Sequence, residues 1–189
     1  INLLIPFSFK IFGPEVAGQL GMSFKIAEIT SIICLAWTNT RVPKMGSIIA
    51  SKNRTQFYSL FISTLKSILL IGGISLTGIY LLLILLDIYG YTIFLDRILN
   101  IKFILMLMIG YYMFAISNYF AMTIRSFKDE KMIFPNFIAL LVYSMAIYLS
   151  FSSSSYTYLI LSFMSVNTFI ILPFSIFFMS KMLTKKSWN

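Results

Sequence analysis

The chain of 189 residues is 59% hydrophobic and only 11% charged, with a mean hydropathy of +0.89. A soluble domain has about 25% charged residues, so six acidic and fifteen basic side chains exclude a single soluble domain. The sequence has no histidine and one cysteine, Cys34, and therefore lacks the commonest general base and a disulfide framework. We expect no enzyme, no cofactor, no metal site and no nucleic-acid partner.

Residues 1–12 are apolar, but as a helix they would extend only about 18 Å. They lack the basic start and the small-residue cleavage site of a signal peptide. We interpret them as the end of a truncated transmembrane helix and residues 13–189 as a transmembrane lobe. Gly13 and Pro14 separate the two parts, because both residue types interrupt helices.

Five apolar segments follow, each close to the length of about 20 residues that crosses a bilayer. They lie at about 17–38, 62–86, 101–123, 132–150 and 157–180. The sequence therefore predicts an all-α fold, a polytopic membrane helix bundle with five complete transmembrane helices plus the end of a sixth.

The connectors differ in basic charge in a regular way. In chain order they and the tail carry one, four, two, three, zero and three Lys or Arg residues. Because basic loops stay in the cytoplasm, the alternation places 39–61, 124–131 and the C-terminal tail inside, and 152–155 outside. The connector 39–61 is predicted to be a basic linker at the membrane surface, or to form a short surface helix that begins at Pro43.

The first span contains Lys25 and Glu28, which are neighbours on one flank of a helix. A charged residue in the membrane centre costs about 2.5–3.5 kcal/mol on insertion scales, so such groups face a bundle interior or a wet cavity. The two residues are either a structural ion pair that holds two helices together or the charged wall of a cavity. Gln19, Ser23, Thr30 and Trp37 cluster on nearly the opposite face.

Polar residues also occur in the third and last spans. Tyr111, Ala115, Asn118, Met122 and Arg125 fall within about 80° of one another on a helical wheel. They either line a path for a polar substrate or form hydrogen bonds between helices, which is the common role of membrane Asn. Asn167 and Thr168 precede Pro173, where we expect a kink, and packing is their default role.

Two segments together resemble a known family. The first is GPEVAGQLGMS at 13–23, followed by Trp37 and by a basic segment with Arg41, Pro43, Gly46, Ile49, Ala50, Ser51 and Lys52. The second is TIRSFKDE at 123–130, in which Thr123 replaces the family's aromatic residue and Lys131 follows in place of its proline. This order of motifs is similar to that of bacterial polysaccharide flippases of the multidrug/oligosaccharidyl-lipid/polysaccharide exporter superfamily.

The resemblance implies the C-terminal lobe of a transporter with about twelve helices, in the bacterial inner membrane with its C-terminus in the cytoplasm. Such a protein translocates an undecaprenyl-diphosphate-linked oligosaccharide for O-antigen or other surface polysaccharide. The implied partners are this lipid-linked substrate, the lipid bilayer and the missing N-terminal half. Lys25 and Arg125 would contact the diphosphate, with Glu28 as the partner of Lys25, and Tyr111, Asn118 and Asn167 would contact sugars.

Two alternatives remain open at this point. A multidrug or metabolite exporter of the same fold would use Glu28, the only acid well inside a predicted span, as its coupling site. A non-transporting membrane subunit would use Lys25 and Glu28 only to hold helices together.

Overall fold

A computed structural model describes residues 4–184, which are helical apart from short turns and contain no strand. The helices are α1 (Leu4–Ala50), α2 (Arg54–Ile88), α3 (Thr92–Leu95), α4 (Ile101–Ser126), α5 (Ile133–Ser153), α6 (Thr157–Ser165) and α7 (Leu172–Thr184). A π-helical segment, Val166–Ile171, joins α6 to α7. Five helical stretches are long and apolar enough to cross a membrane: Pro6–Ala50, Arg54–Ile88, Ile101–Ser126, Ile133–Ser153 and Thr157–Thr184. The prediction of an all-α fold with five such helices is confirmed.

Helix α1 is kinked at Gly13, where φ is 84° and ψ is 173°. A positive φ is unfavourable for residues with a Cβ atom, which explains glycine at this position. The sequence predicted a connector at residues 13–15, whereas the structure has a kink without a loop. The predicted helix end at 1–12 corresponds to the part of α1 before the kink, and residues 1–3 lie outside the described residues.

The segment 39–61, predicted as a connector between two spans, is helical apart from a short turn. Helix α1 continues through Pro43 to Ala50, and α2 begins at Arg54 after a short turn. Pro43 therefore does not begin a separate surface helix. Hydropathy marks where the chain becomes polar, but a helix ends only where its backbone turns. Here that turn has Lys52 at a positive φ of 56° and Asn53, whose side chain accepts a hydrogen bond from the Gln56 N–H.

Helix α4 is the centre of the bundle and packs against α1, α2, α6 and α7. In its most apolar window 56% of the residues are buried, against 17% for α2 and 22% for α5. The apolar outer faces of α2 and α5 are therefore the surfaces that lipid would cover. Helix α5 contacts α6 and the π-helical segment at the edge of the bundle.

Tyrosine hydroxyls join α2 to α4. Tyr119 donates to the carbonyl of Phe61 at 2.8 Å, and Tyr112 donates to the carbonyl of Leu69 at 2.8 Å. The helices approach closely at Gly72, where an added Cβ would collide with the Tyr112 ring. These contacts fix how α4 is aligned along its neighbours, and hence where its polar residues lie.

The predicted distortion near Pro173 takes a specific form. The residues just before it, Val166–Ile171, form a π-helix. Proline lacks an N–H and its ring collides with the carbonyl four residues earlier, Phe169. A π-helical turn widens the helix there and relieves the collision. Asn167 and Thr168 lie within this widened turn.

Candidate functional site

Lys25 and Glu28 form an ion pair on one helix. The Lys25 Nζ lies 2.7 Å from Glu28 Oε2, and the two side chains are 67% and 33% exposed. The pair lies within α1, so it does not bridge α1 to a second helix directly. The neighbouring Phe24 contacts Tyr111, about 15 Å along α4 from its start. Ser23, two residues before Lys25, accepts a hydrogen bond from the Leu99 N–H just before α4 begins. In a bilayer spanned by α4, the pair would thus lie between the start of α4 and its middle, and stay accessible on one side.

Tyr111 lies in the bundle interior and contacts Phe24, the residue before Lys25. Its ring is buried and contacts Phe24 edge-on, with 6.5 Å between the ring centroids, and Phe163 at 4.7 Å. Tyr111 thus packs between α1 and α6.

Asn167 lies in the π-helical segment, four residues after Phe163. It is 1% exposed, and its Nδ2 donates to the Phe163 carbonyl at 2.8 Å and to the Tyr143 hydroxyl at 3.3 Å. Its Oδ1 and the adjacent Thr168 Oγ1 are buried and have no hydrogen-bond partner among the described residues. A buried polar atom without a partner costs about 1–3 kcal/mol. The site is therefore suited to a ligand that brings a hydrogen-bond donor.

A cavity of about 450 Å³ adjoins Asn167. Its lining comes from Phe7 in α1, Phe114 in α4, several residues of α5 and α6, and the π-helical segment. Most of the lining is apolar, and the polar groups are those of Asn136, Tyr143, Ser162 and Asn167. Cavities of about 300–1,000 Å³ with few polar groups are typical of small-molecule sites.

Sequence reasoning missed Tyr143, Asn136 and Ser162 as site residues. Asn136 and Tyr143 are seven residues apart on α5, so they lie on the same helical face. That spacing was visible in the sequence, but only the packing of α5 on α6 shows that this face lines a cavity.

The remaining predicted residues, Asn118 and Arg125, lie farther along α4. They follow Tyr111 by about 10 and 21 Å along the helix axis, with Asn118 half-buried and Arg125 exposed. Between residues 4 and 184, neither side chain has a hydrogen-bond or ion-pair partner. Lys25 and Arg125 are consequently too far apart to contact one diphosphate at the same time.

The polar face of α1 opposite Lys25 has a packing role. Gln19 Nε2 donates to the Asp96 carbonyl at 2.9 Å, and the Ser23 hydroxyl accepts from the Leu99 N–H at 2.8 Å. Both bonds attach α1 to the connector before α4. In this chain, Gln19 and Ser23 of the first family-like segment therefore position α4 against α1.

The two family-like segments meet at one end of the bundle. Gly46, Ile49 and Ala50 of α1 line a cavity of about 350 Å³ together with residues 126–129 and Met182. Thr123 and Met45 are also in contact, with 3.9 Å between the hydroxyl oxygen and the sulfur atom. Segments about 75 residues apart in the chain thus form one local structure.

The chain matches no protein-family model, no curated protein and no solved structure. Within residues 4–184, three or more side chains of the metal-ligating types do not come together. The function proposed below is therefore argued from the Lys25–Glu28 ion pair and from the polar groups around Asn167.

Proposed function

We propose that this chain is the C-terminal transmembrane lobe of a flippase for undecaprenyl-diphosphate-linked oligosaccharide in the bacterial inner membrane. The main support is the accessible ion pair of Lys25 and Glu28 inside a helix that is long and apolar enough to span a bilayer. An anionic headgroup must pass the bilayer centre, where a fixed cation offsets its lost hydration. An ion pair at this depth is costly without such a use.

The other polar residues suit successive stages of one path. Lys25 binds the diphosphate within the membrane, with Glu28 positioning its ammonium group. Arg125, at the end of α4, binds the diphosphate at a different stage, because the two cations cannot act together. Tyr111, Asn118 and Asn167 offer hydrogen bonds to sugar hydroxyls, and the unpartnered Asn167 Oδ1 accepts one of them. Alternating access needs an opposing lobe, which we assign to an N-terminal half.

Deleting the gene for the full-length protein tests this proposal. We expect surface polysaccharide to disappear and lipid-linked oligosaccharide to accumulate with its sugars facing the cytoplasm. Measuring both in the deletion strain and in a strain complemented with the wild-type gene separates this effect from secondary changes. Normal surface polysaccharide in the deletion strain would refute the proposal.

The apolar cavity beside Asn167 favours a second candidate function, export of a lipophilic small molecule. Its volume suits such a ligand, and Glu28 would then serve as the ion-coupling group. In that case the deletion strain would retain a fluorescent lipophilic dye several-fold longer than wild type and keep its surface polysaccharide.

We further propose that the turn between α1 and α2 and the end of α7 face the cytoplasm, as the basic residues indicate. Lys185 and Lys186, on which this partly rests, lie outside the described residues. In a Cys34→Ser background, an impermeant thiol reagent should label Ser153→Cys in intact cells and leave Ser51→Cys unlabelled. Both positions are exposed, whereas Cys34 is buried. Labelling at position 51 with protection at 153 would reverse the orientation.

A further inference from the structure

A long part of the chain carries basic residues without acidic ones. Residues 29–86 contain no Asp or Glu and five cations: Arg41, Lys44, Lys52, Arg54 and Lys66. Lys66 lies inside a predicted span and was not singled out by the sequence reasoning. Arg41 and Lys66 lie on the same side of the α1–α2 pair, as the contacts of Ser63 show.

Arg41 is held in place by two contacts. Its guanidinium carbon lies 4.6 Å from the centroid of the Trp37 ring, and its Nη1 donates to the Ser63 hydroxyl at 3.3 Å. Ser63 precedes Lys66 by three residues, so both occupy one flank of α2. Neither Arg41 nor Lys66 forms an ion pair within residues 4–184. One of these two cations therefore contacts the Ser63 hydroxyl, and the other follows Ser63 by about one helical turn and lines the same groove.

A shallow groove of about 700 Å³ runs along this flank of α2. One end carries Ser59, Ser63, Lys66 and Ser67 beside Tyr58 and Ile62, and the other end is formed by Leu70 and Ile71. The ammonium group and the serine hydroxyls of the groove thus lie at the first end, and the second end is apolar.

The polar end of the groove lies where α2 would leave the hydrocarbon core of the membrane. Residues 68–86 are uncharged, and nineteen helical residues extend about 28 Å, close to the bilayer core of about 30 Å. Lys66 lies just outside this stretch, and Ser63 lies about one turn farther out. The cations are therefore at the depth of lipid headgroups.

We propose that Arg41, Ser63 and Lys66 bind the phosphate of an anionic membrane lipid, with its acyl chains along Leu70 and Ile71. The positive charge complements the phosphate, and the groove continues into apolar surface where the chains of a bound lipid would lie. This site is on a different face from Lys25 and does not depend on the proposed transport substrate.

Native mass spectrometry of the purified full-length protein in detergent tests the proposal, with phosphatidylglycerol and phosphatidylcholine as probes. Wild type should bind phosphatidylglycerol at least about tenfold more tightly, and Lys66→Met should lose most of this preference, because a charge-assisted contact is removed. Lys66→Arg should keep it. Lys102→Met, which removes an exposed lysine from α4, is the matched control and should bind as wild type does.

Three results would overturn the proposal. One is an unchanged preference for phosphatidylglycerol in a Lys66→Met variant that elutes as wild type on gel filtration. Another is an equal loss in Lys102→Met, which would indicate attraction to net charge only. The third is full competition by soluble glycerol phosphate, which would identify a site for free anions instead of a lipid.

Discussion

Replacing Lys25 with alanine in the full-length protein is expected to lower surface-polysaccharide export at least tenfold without reducing the amount of protein in the membrane. The ammonium group is mostly exposed and, within residues 4–184, pairs only with Glu28 of the same helix, so its loss breaks no ion pair between helices in this part of the chain. Removal of a fixed cation should instead weaken diphosphate binding by about tenfold or more, as expected for one charge-assisted hydrogen bond. Lys25→Arg should retain substantial export, since it keeps the charge.

The control for this prediction is the double variant Lys25→Ala/Glu28→Ala. If the pair only stabilised the fold, removing both charges would restore what Lys25→Ala loses. We expect the double variant to remain defective, because the cation itself is needed. Export and immunoblotted protein amount should be measured together. A parallel fall of both in Lys25→Ala, or recovery in the double variant, would assign the pair a structural role.

Glu28→Gln separates the two transport candidates. The amide oxygen still accepts a hydrogen bond from Lys25, so a positioning role predicts partial polysaccharide export. A coupling role requires a group that ionises, so it predicts complete loss of transport of whichever substrate the protein carries. Initial transport rates of Glu28→Gln and wild type, at matched protein amounts, distinguish these outcomes.

The existence of the five long helices could be predicted from sequence, and their ends could not. Runs of about 20 apolar residues predict spans because backbone groups in lipid must bond within a helix. The same criterion does not apply beyond the apolar run, so it missed that α1 continues through Pro43 to Ala50. The kink at Gly13 was foreseeable because Gly and Pro act on the local backbone.

For the candidate site, contacts within one helix could be predicted from the sequence, and contacts between helices could not. The contact of Lys25 with Glu28 follows from a spacing of three residues on one helix. The contacts of Tyr111 with Phe24, and of Asn167 with Tyr143, depend on how α4 and α5 are aligned against other helices. The polar face of α4 illustrates the limit, because one periodic pattern contains buried Tyr111 and exposed Arg125.

Replacing Gly110 with alanine is expected to destabilise the bundle by about 1–3 kcal/mol, the usual cost of overpacking. An added Cβ at Gly110 would lie 2.8 Å from Cδ1 of Phe163 and 3.2 Å from the Cα atom of Met164. The Phe163 ring could move only by disturbing Tyr111 and Phe24, with ring centroids at 4.7 and 5.9 Å. We therefore expect a lower Tm in detergent and weaker export.

Gly73→Ala is the matched control, because nothing lies within 4 Å of a Cβ at Gly73. There the higher helix propensity of alanine should leave Tm unchanged or raise it slightly. Adding Phe163→Leu to Gly110→Ala makes room for the new methyl group and should recover part of the lost Tm. Purely additive losses in the double variant, or a wild-type Tm for Gly110→Ala, would contradict the tight contact. If Tm recovers and export does not, the Phe163 ring itself is needed to hold Tyr111 against Phe24.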